Sequence, residues 1–172
     1  MAGSSGLIGR ACGKVLLEKG YKNLLTPSSK ELDLRDPIQV ESFFSSNEID
    51  IVILAAGKVG GIIENKNNPV DFLTTNLSIQ LNIFSSAIEN NCAKVVFFGS
   101  SCMYPKECTQ PMAEDDLFTG KMEPTSMAYA VSKIAGHQLG FSYNQQFSSD
   151  KFLCLIPNSA YGPWDNFNHE SG

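Results

Sequence analysis

The 172-residue sequence has no run of lysine and arginine, no CxxC pair and no apolar stretch of membrane-spanning length, and each absence removes a class of function. Thirteen basic against eighteen acidic side chains leave a net charge of −5. With no basic stripe to displace counterions from phosphates, a nucleic-acid groove is not expected. The five cysteines, Cys12, Cys92, Cys102, Cys108 and Cys154, are odd in number and scattered, which argues against a disulfide framework or a metal site and for a reducing compartment. A membrane helix needs about 20 consecutive apolar residues. None is present, and no basic, apolar leader precedes the first motif, so the cytoplasm is the expected location. Hydrophobic residues at 42% and charged residues at 18% describe a chain that can bury one core.

What is present is an alternation of helical and strand patterns. Leu7, Ile8, Ala11, Cys12, Val15 and Leu16 have the spacing of an amphipathic helix to Lys19, ended by Gly20. A strand is expected over Tyr21 to Thr26. Pro37 can open a helix that turns Ile38, Val40, Phe43 and Phe44 inward, before the buried strand Ile51 to Ala55. A long helix follows from Pro69 to Asn91, then a strand Lys94 to Gly99. After an irregular stretch from Pro105 to Pro124 come a helix, Ala128 to Phe147, and a strand, Phe152 to Ile156. Strands separated by helices imply an α/β fold, a Rossmann-like doubly wound parallel sheet covered on both faces, with residues 1–172 forming one incomplete nucleotide-binding domain.

Gly3, Ser4, Ser5, Gly6, Leu7, Ile8 and Gly9 form a GxxGxxG turn opening a helix, in which glycines admit a pyrophosphate and the helix start offers free N–H groups. Such a turn should follow a buried strand of about five residues. Only Met1 and Ala2 precede it, so the first strand is expected to be missing and the sheet to be open where that strand would lie.

Tyr129 and Lys133 stand one helical turn apart in a YxxxK motif, and Ser100 follows the Val96-Phe97-Phe98-Gly99 strand end, where open parallel sheets place their ligands. A phenol with a reference pKa of about 10 is a poor acid–base catalyst at neutral pH unless a nearby cation favours its phenolate. Lys133 could supply that charge, with Tyr129 moving the proton and Ser100 holding the substrate oxygen.

Four blocks now identify a resemblance: Leu54-Ala-Ala-Gly-Lys58-Val-Gly-Gly-Ile62, Gly99-Ser-Ser-Cys102-Met-Tyr-Pro105, Tyr129-Ala-Val-Ser-Lys-Ile-Ala-Gly136 and Tyr161-Gly-Pro-Trp-Asp-Asn-Phe167. They resemble the GDP-L-fucose synthases, extended short-chain dehydrogenase/reductases that epimerise GDP-4-keto-6-deoxy-D-mannose at C3 and C5 and reduce C4 with NADPH. The resemblance implies Ser100, Tyr129 and Lys133 for reduction and Cys102 as the epimerisation base. It implies cofactor contacts from Gly3 to Gly9, from Ser29, Lys30, Asp33 and Leu34, from Phe98, Gly99, Ser100, Ser101 and Lys133, and from Ile156, Pro157, Asn158 and Ser159.

The sequence also departs from that family. Arginines common in the family at two positions are replaced here by Ser5 and Ser29, so a 2′-phosphate would rest on Lys30 and hydroxyls, and NAD stays open beside NADP. Lys30 is equally readable as a solvated charge. Pro157-Asn158-Ser159 replaces the family's Pro-Thr-Asn, and His169 precedes the expected position of the general-acid histidine. The substrate domain that grips the nucleotide sugar is expected beyond this stretch, which alone is expected to lack turnover. Another nucleotide-sugar reductase of the extended family and a non-catalytic nucleotide-binding remnant stay open. So does a homodimer through the two long helices, whose apolar faces are explained as well by packing on their own sheet.

Overall fold

The computed structural model describes residues 1–165. Helix α1 (Leu7–Glu18) starts directly from the glycine turn, and Gly20, at φ +89°, turns the chain away from its end. Helix α2 (Pro37–Ser45) is fixed by its first residues: Pro37 presets the backbone angle, and the Asp36 carboxylate accepts from the amides of Ile38 and Gln39 at 2.9 and 3.3 Å. Strand β1 (Ile51–Leu54), a short α3 (Ile62–Asn67), α4 (Pro69–Glu89), β2 (Lys94–Phe98), α5 (Met127–Gln146) and β3 (Phe152–Leu155) follow. Of these, α3 was not foreseen, because its six residues are too few for a periodic pattern.

The strands form a parallel sheet in the order β1-β2-β3, with Val52 beside Val95 and Val95 beside Phe152. Side chains alternate across a sheet, so Val52, Leu54, Val95, Phe97, Phe152 and Cys154 share a face. Against it lies Phe84 of α4, its ring 5.7 Å from Phe97 and 4.8 Å from Phe152 between centroids. Helices α4 and α5 approach closely because α5 offers Gly136 to Gln80, where a β-carbon would fall 2.7 Å from the amide oxygen.

The other face differs from the expectation of a sheet covered on both sides. Ile51 remains 55% exposed and Leu155 41%. The expected strand Tyr21–Thr26 is also not formed, and the reason is its missing neighbour. Ala2 alone stands in the first strand's place, donating to the Ile53 carbonyl at 2.9 Å and accepting from the Ala55 amide at 3.0 Å. On its other side the Met1 ammonium reaches the Leu25 carbonyl at 2.6 Å. A single hydrogen bond to the 21–26 segment is not a ladder, so that segment runs without regular structure.

Among the described residues, no helix is long and apolar enough to cross a membrane, and no group of three or more His, Cys, Asp or Glu side chains is arranged to hold a metal ion.

Candidate active site

The glycines of the first turn have different tasks. Gly3 sits at φ +81°, and a β-carbon there would fall 2.5 Å from the Ala56 amide nitrogen, so only glycine lets the turn pass this close to the end of β1. A β-carbon at Gly9 would run into the Gly3 carbonyl, which lets α1 press against the turn. Gly6 has only an ordinary contact at 3.6 Å and caps α1 without a side-chain bond, leaving the helix's first amides available to an anion.

This turn forms one wall of a cleft of about 1030 Å³. Gly3, Ser4, Ser5, Gly6, Leu7 and Ile8 line it, as do Ser29, Asp33 and Leu34, then Gly99, Ser100 and Tyr129, and finally Pro157 and Asn158. Gly9, Lys30, Phe98, Ser101, Cys102, Lys133, Ile156 and Ser159 are not part of its wall. Asn166, Phe167 and His169 lie outside the described residues. The cleft continues inward to the buried side chains of Phe44, Val52, Ile79 and Ile83.

Lys30 is exposed, and Arg35 is the cation on the cleft wall in this region. Sequence reasoning missed it, although a cation five residues beyond Lys30 was a usable signal. Its guanidinium is held by both oxygens of Asp33, at 2.9 and 2.6 Å, and this pairing keeps the Asp33 carboxyl down at about 2. Glu31 is likewise engaged, accepting from the Ser28 amide at 2.7 Å and hydroxyl at 2.8 Å.

Ser100, at the end of β2, and Tyr129, in the first turn of α5, line the same cleft wall. Burial pushes the phenol up, the Ser100 hydroxyl opposes the rise, and Cys102 adds to it. One turn on, Lys133 is only 5% exposed. Its Nζ donates to the Phe98 carbonyl at 2.8 Å and lies 4.9 Å from the Phe97 ring centroid and 5.8 Å from that of Tyr129. Burial pushes this ammonium down to about 8. Lys133 therefore lies beneath the phenol ring and is bonded to the sheet.

Cys102 is half-buried, and its amide donates to Ser100 Oγ at 3.3 Å, which ties the cysteine's backbone to the serine. Behind the trio, burial raises the Cys154 thiol to about 11, so it stays protonated.

The loop after β1 forms the opposite wall through Ala55, Ala56, Gly57, Lys58 and Val59. Lys58 pairs with Glu64 at 3.3 Å and lies 5.2 Å from the centroid of Phe72, whose ring meets Tyr129 edge-on at 6.3 Å. Asn76 of α4, 1% exposed, accepts from the Lys58 amide at 2.8 Å and donates to the Lys58 carbonyl at 3.0 Å. Sequence reasoning passed over it. The signal was a polar residue at 76, on the inward row between Phe72 and Ile79.

A parallel sheet, a glycine turn opening a helix at the mouth of a cleft, and a serine and a tyrosine on that cleft's wall with a lysine one turn away define a dinucleotide-binding unit of the short-chain dehydrogenase/reductase type. The chain belongs to the NAD dependent epimerase/dehydratase family, whose model matches residues 1–172. It is 45% identical over 168 residues to the GDP-L-fucose synthase of Escherichia coli (strain K12), covering 98% of this chain and 52% of that protein. A GDP-L-fucose synthetase from Naegleria fowleri bound to NADP superposes with a TM-score of 0.90 at 30% identity, covering 99% of this chain and 53% of that one. MlghC, a GDP-mannoheptose C4 reductase from Campylobacter jejuni with NADP bound, gives 0.89 at 36% identity, covering 93% and 50%. The chain thus spans about half the length of the curated relatives it matches.

Proposed function

We propose that this chain forms the cofactor-binding and catalytic half of an enzyme that converts GDP-4-keto-6-deoxy-D-mannose to GDP-L-fucose with NADPH, residues 1–172 being one nucleotide-binding domain that works in the cytoplasm. The observation that carries the reading is that Ser100 and Tyr129 line the cleft that begins at the glycine turn, with Lys133 Nζ 5.8 Å from the centroid of the Tyr129 ring. Two relatives that superpose on 93% and 99% of this chain hold NADP.

The residues present fit a dinucleotide. Gly6 leaves space beside the uncapped start of α1 for a pyrophosphate. The acidic groups near the end of the 21–26 segment, Glu31 and Asp33, are committed to Ser28 and Arg35, and so are not free for a ribose hydroxyl. Ser29, Leu34, Pro157 and Asn158 would flank the bound cofactor, with Lys30 and Ser159 just outside the wall. When bound, the cofactor supplies the hydride.

The chain's own groups handle the proton. Ser100 holds the C4 carbonyl oxygen, and Tyr129 gives that oxygen its proton as the carbon is reduced. Lys133 then faces a phenolate instead of a phenol. In the epimerisation, Cys102 as the base takes a proton from the carbon next to the carbonyl. The negative charge moves to the oxygen already held by Ser100 and Tyr129, and reprotonation on the opposite face by the general-acid histidine that the family resemblance implies after the Asp165-Asn166-Phe167 block inverts the centre. Exposure of Leu81 on α4 and Phe141 on α5, at 51% and 56%, supports a homodimer through these helices.

Calorimetric titration of the complete enzyme with NADPH and NADH, followed by product analysis from GDP-4-keto-6-deoxy-D-mannose, tests the reading. Saturable NADPH binding that survives Tyr129→Phe, with loss of reduction in that variant, is expected. Failure to bind either nucleotide would overturn it. The C4 reductase relative favours a second reading, in which C3 and C5 keep their configuration; a product of that kind would replace the first.

A further inference from the structure

We propose that residues 106–121 form a strap beside the turn that carries Cys102, latched by the Phe118 ring on neutral His137 and released when His137 takes up a proton. The strap is closed at its base. The Lys106 amide donates to the Lys121 carbonyl at 2.9 Å and the Lys106 ammonium pairs with Glu123 at 2.9 Å, so the chain leaves and returns at one point, as compact surface loops do. At its tip the Ala113 amide donates to the Asp116 carboxylate at 2.8 Å and the Asp116 amide to the Ala113 carbonyl at 3.0 Å.

Phe118 reaches out of this loop to α5. Its ring centroid lies 6.2 Å from that of His137, with the planes tilted by 37°. The reach is made on a left-handed backbone, φ +68°, which a bulky side chain adopts only where something holds it. The phenyl ring is nonetheless 57% exposed, so the latch rests on one partly wetted ring contact and depends on the state of the imidazole.

His137 stands one turn beyond Lys133, and its Nδ1 is buried with no hydrogen-bond partner among the described residues. A neutral imidazole can leave that nitrogen unprotonated, whereas an imidazolium has two N–H groups and needs an acceptor for each. The cavity of about 80 Å³ beside the ring offers little: α4 and β2 present Phe84 and Phe97 there, and β3 presents Phe152 and the protonated Cys154 thiol. The charged groups nearby are Glu114 from the strap and Lys133 from the same helix, whose Nζ is bonded to the Phe98 carbonyl. Burial outweighs the pull of Glu114 and holds His137 below its ordinary 6.5. A closed strap therefore binds the proton less readily than an open one that lets the ring reach water. The strap keeps its full hold above pH 6.5 and loses it progressively as pH falls below that value.

Release has a consequence at the site. Glu114 and Asp116 face the Tyr104 phenol, and Tyr104 ends the short turn Ser101–Met103 that carries Cys102. An open strap takes these acidic groups away and lets water reach that turn.

Hydrogen–deuterium exchange of the complete enzyme, read by mass spectrometry from pH 5 to 8 and corrected for the intrinsic rate at each pH, tests the proposal without using turnover. Protection of the 106–121 amides is expected to fall by about fivefold or more from pH 7.5 to 5 while that of α4 holds. His137→Leu, which cannot charge, should keep the high-pH protection throughout, and Phe118→Ala should show the low-pH level at every pH. A flat profile in the wild type, a fall shared by α4, a fall that persists in His137→Leu, or wild-type protection in Phe118→Ala overturns the proposal. Should His137→Leu lose the protection of α4, His137→Gln, which is polar but stays neutral, takes its place under the same criterion.

Discussion

Lys133 should cost the fold stability at neutral pH, by an amount that a pH series reads out. Its side chain is 5% exposed, and burial takes the ammonium from 10.5 down to about 8. At about 1.4 kcal/mol per pH unit, holding that charge inside costs about 3 kcal/mol wherever the native chain is protonated. A lysine whose folded value lies below its unfolded value binds fewer protons in the folded state, so this cost is fully present below pH 8. It fades as pH rises from 8 to 10.5, where the unfolded chain also sheds its proton. Lys133→Met removes the cost, but it also removes the bond to the Phe98 carbonyl, worth about 1.5–3 kcal/mol for a charged donor. At pH 7 the two terms nearly cancel, and the variant should unfold within about 1–2 kcal/mol of wild type. By pH 9.5 the wild type should have gained about 2 kcal/mol on the variant. Urea unfolding followed by circular dichroism at half-unit steps measures this difference, and other groups that titrate in the range cancel between the two proteins. Stability curves that run parallel from pH 7 to 9.5 would refute the reasoning.

Phe84→Ala empties the space between α4 and the rings of Phe97 and Phe152, and should lower stability by about 3–5 kcal/mol in urea; a loss below about 1 kcal/mol would mean that the ring is not central to the core. Gly3→Ala forces a β-carbon onto the Ala55–Ala56 backbone at φ +81°. The left-handed backbone alone should cost about 1–2 kcal/mol, thermal melting should register it with the overlap added, and NADPH titration should show lost affinity. Wild-type affinity in that variant would place the nucleotide elsewhere.

Helices and buried strands were legible because their signals are local. The run Ile51-Val52-Ile53-Leu54 and the inward row of α4 state their environment within a few residues, and Pro37 after Asp36 marks a helix start by chemistry alone. The Tyr21–Thr26 segment has the composition of a strand but not the partner, and a strand exists only as part of a ladder. Both faces of the sheet were expected to be covered because strands alternate with helices, yet Leu153 and Leu155 stay 47% and 41% exposed.

At the site, the Ser100, Tyr129 and Lys133 trio was legible from spacing, and so was the glycine turn. The partners that tune them were not. Asn76 and the Phe98 carbonyl act through contacts between elements far apart in sequence, and nothing in an asparagine on a helix announces that it will grip a peptide 18 residues away.

Those hidden partners bear on why so costly a lysine is kept. In the resting site the buried cation lies under a neutral phenol, and burial acts against charge on both groups, lowering the ammonium and raising the phenol. Neither shift by itself favours a proton-transfer site. If Tyr129 gives its proton away as proposed, however, the phenolate and the ammonium become a charge pair in surroundings of low dielectric, where their attraction is far stronger than in water. The desolvation cost carried by Lys133 in the resting protein is then offset at the step that makes the phenolate.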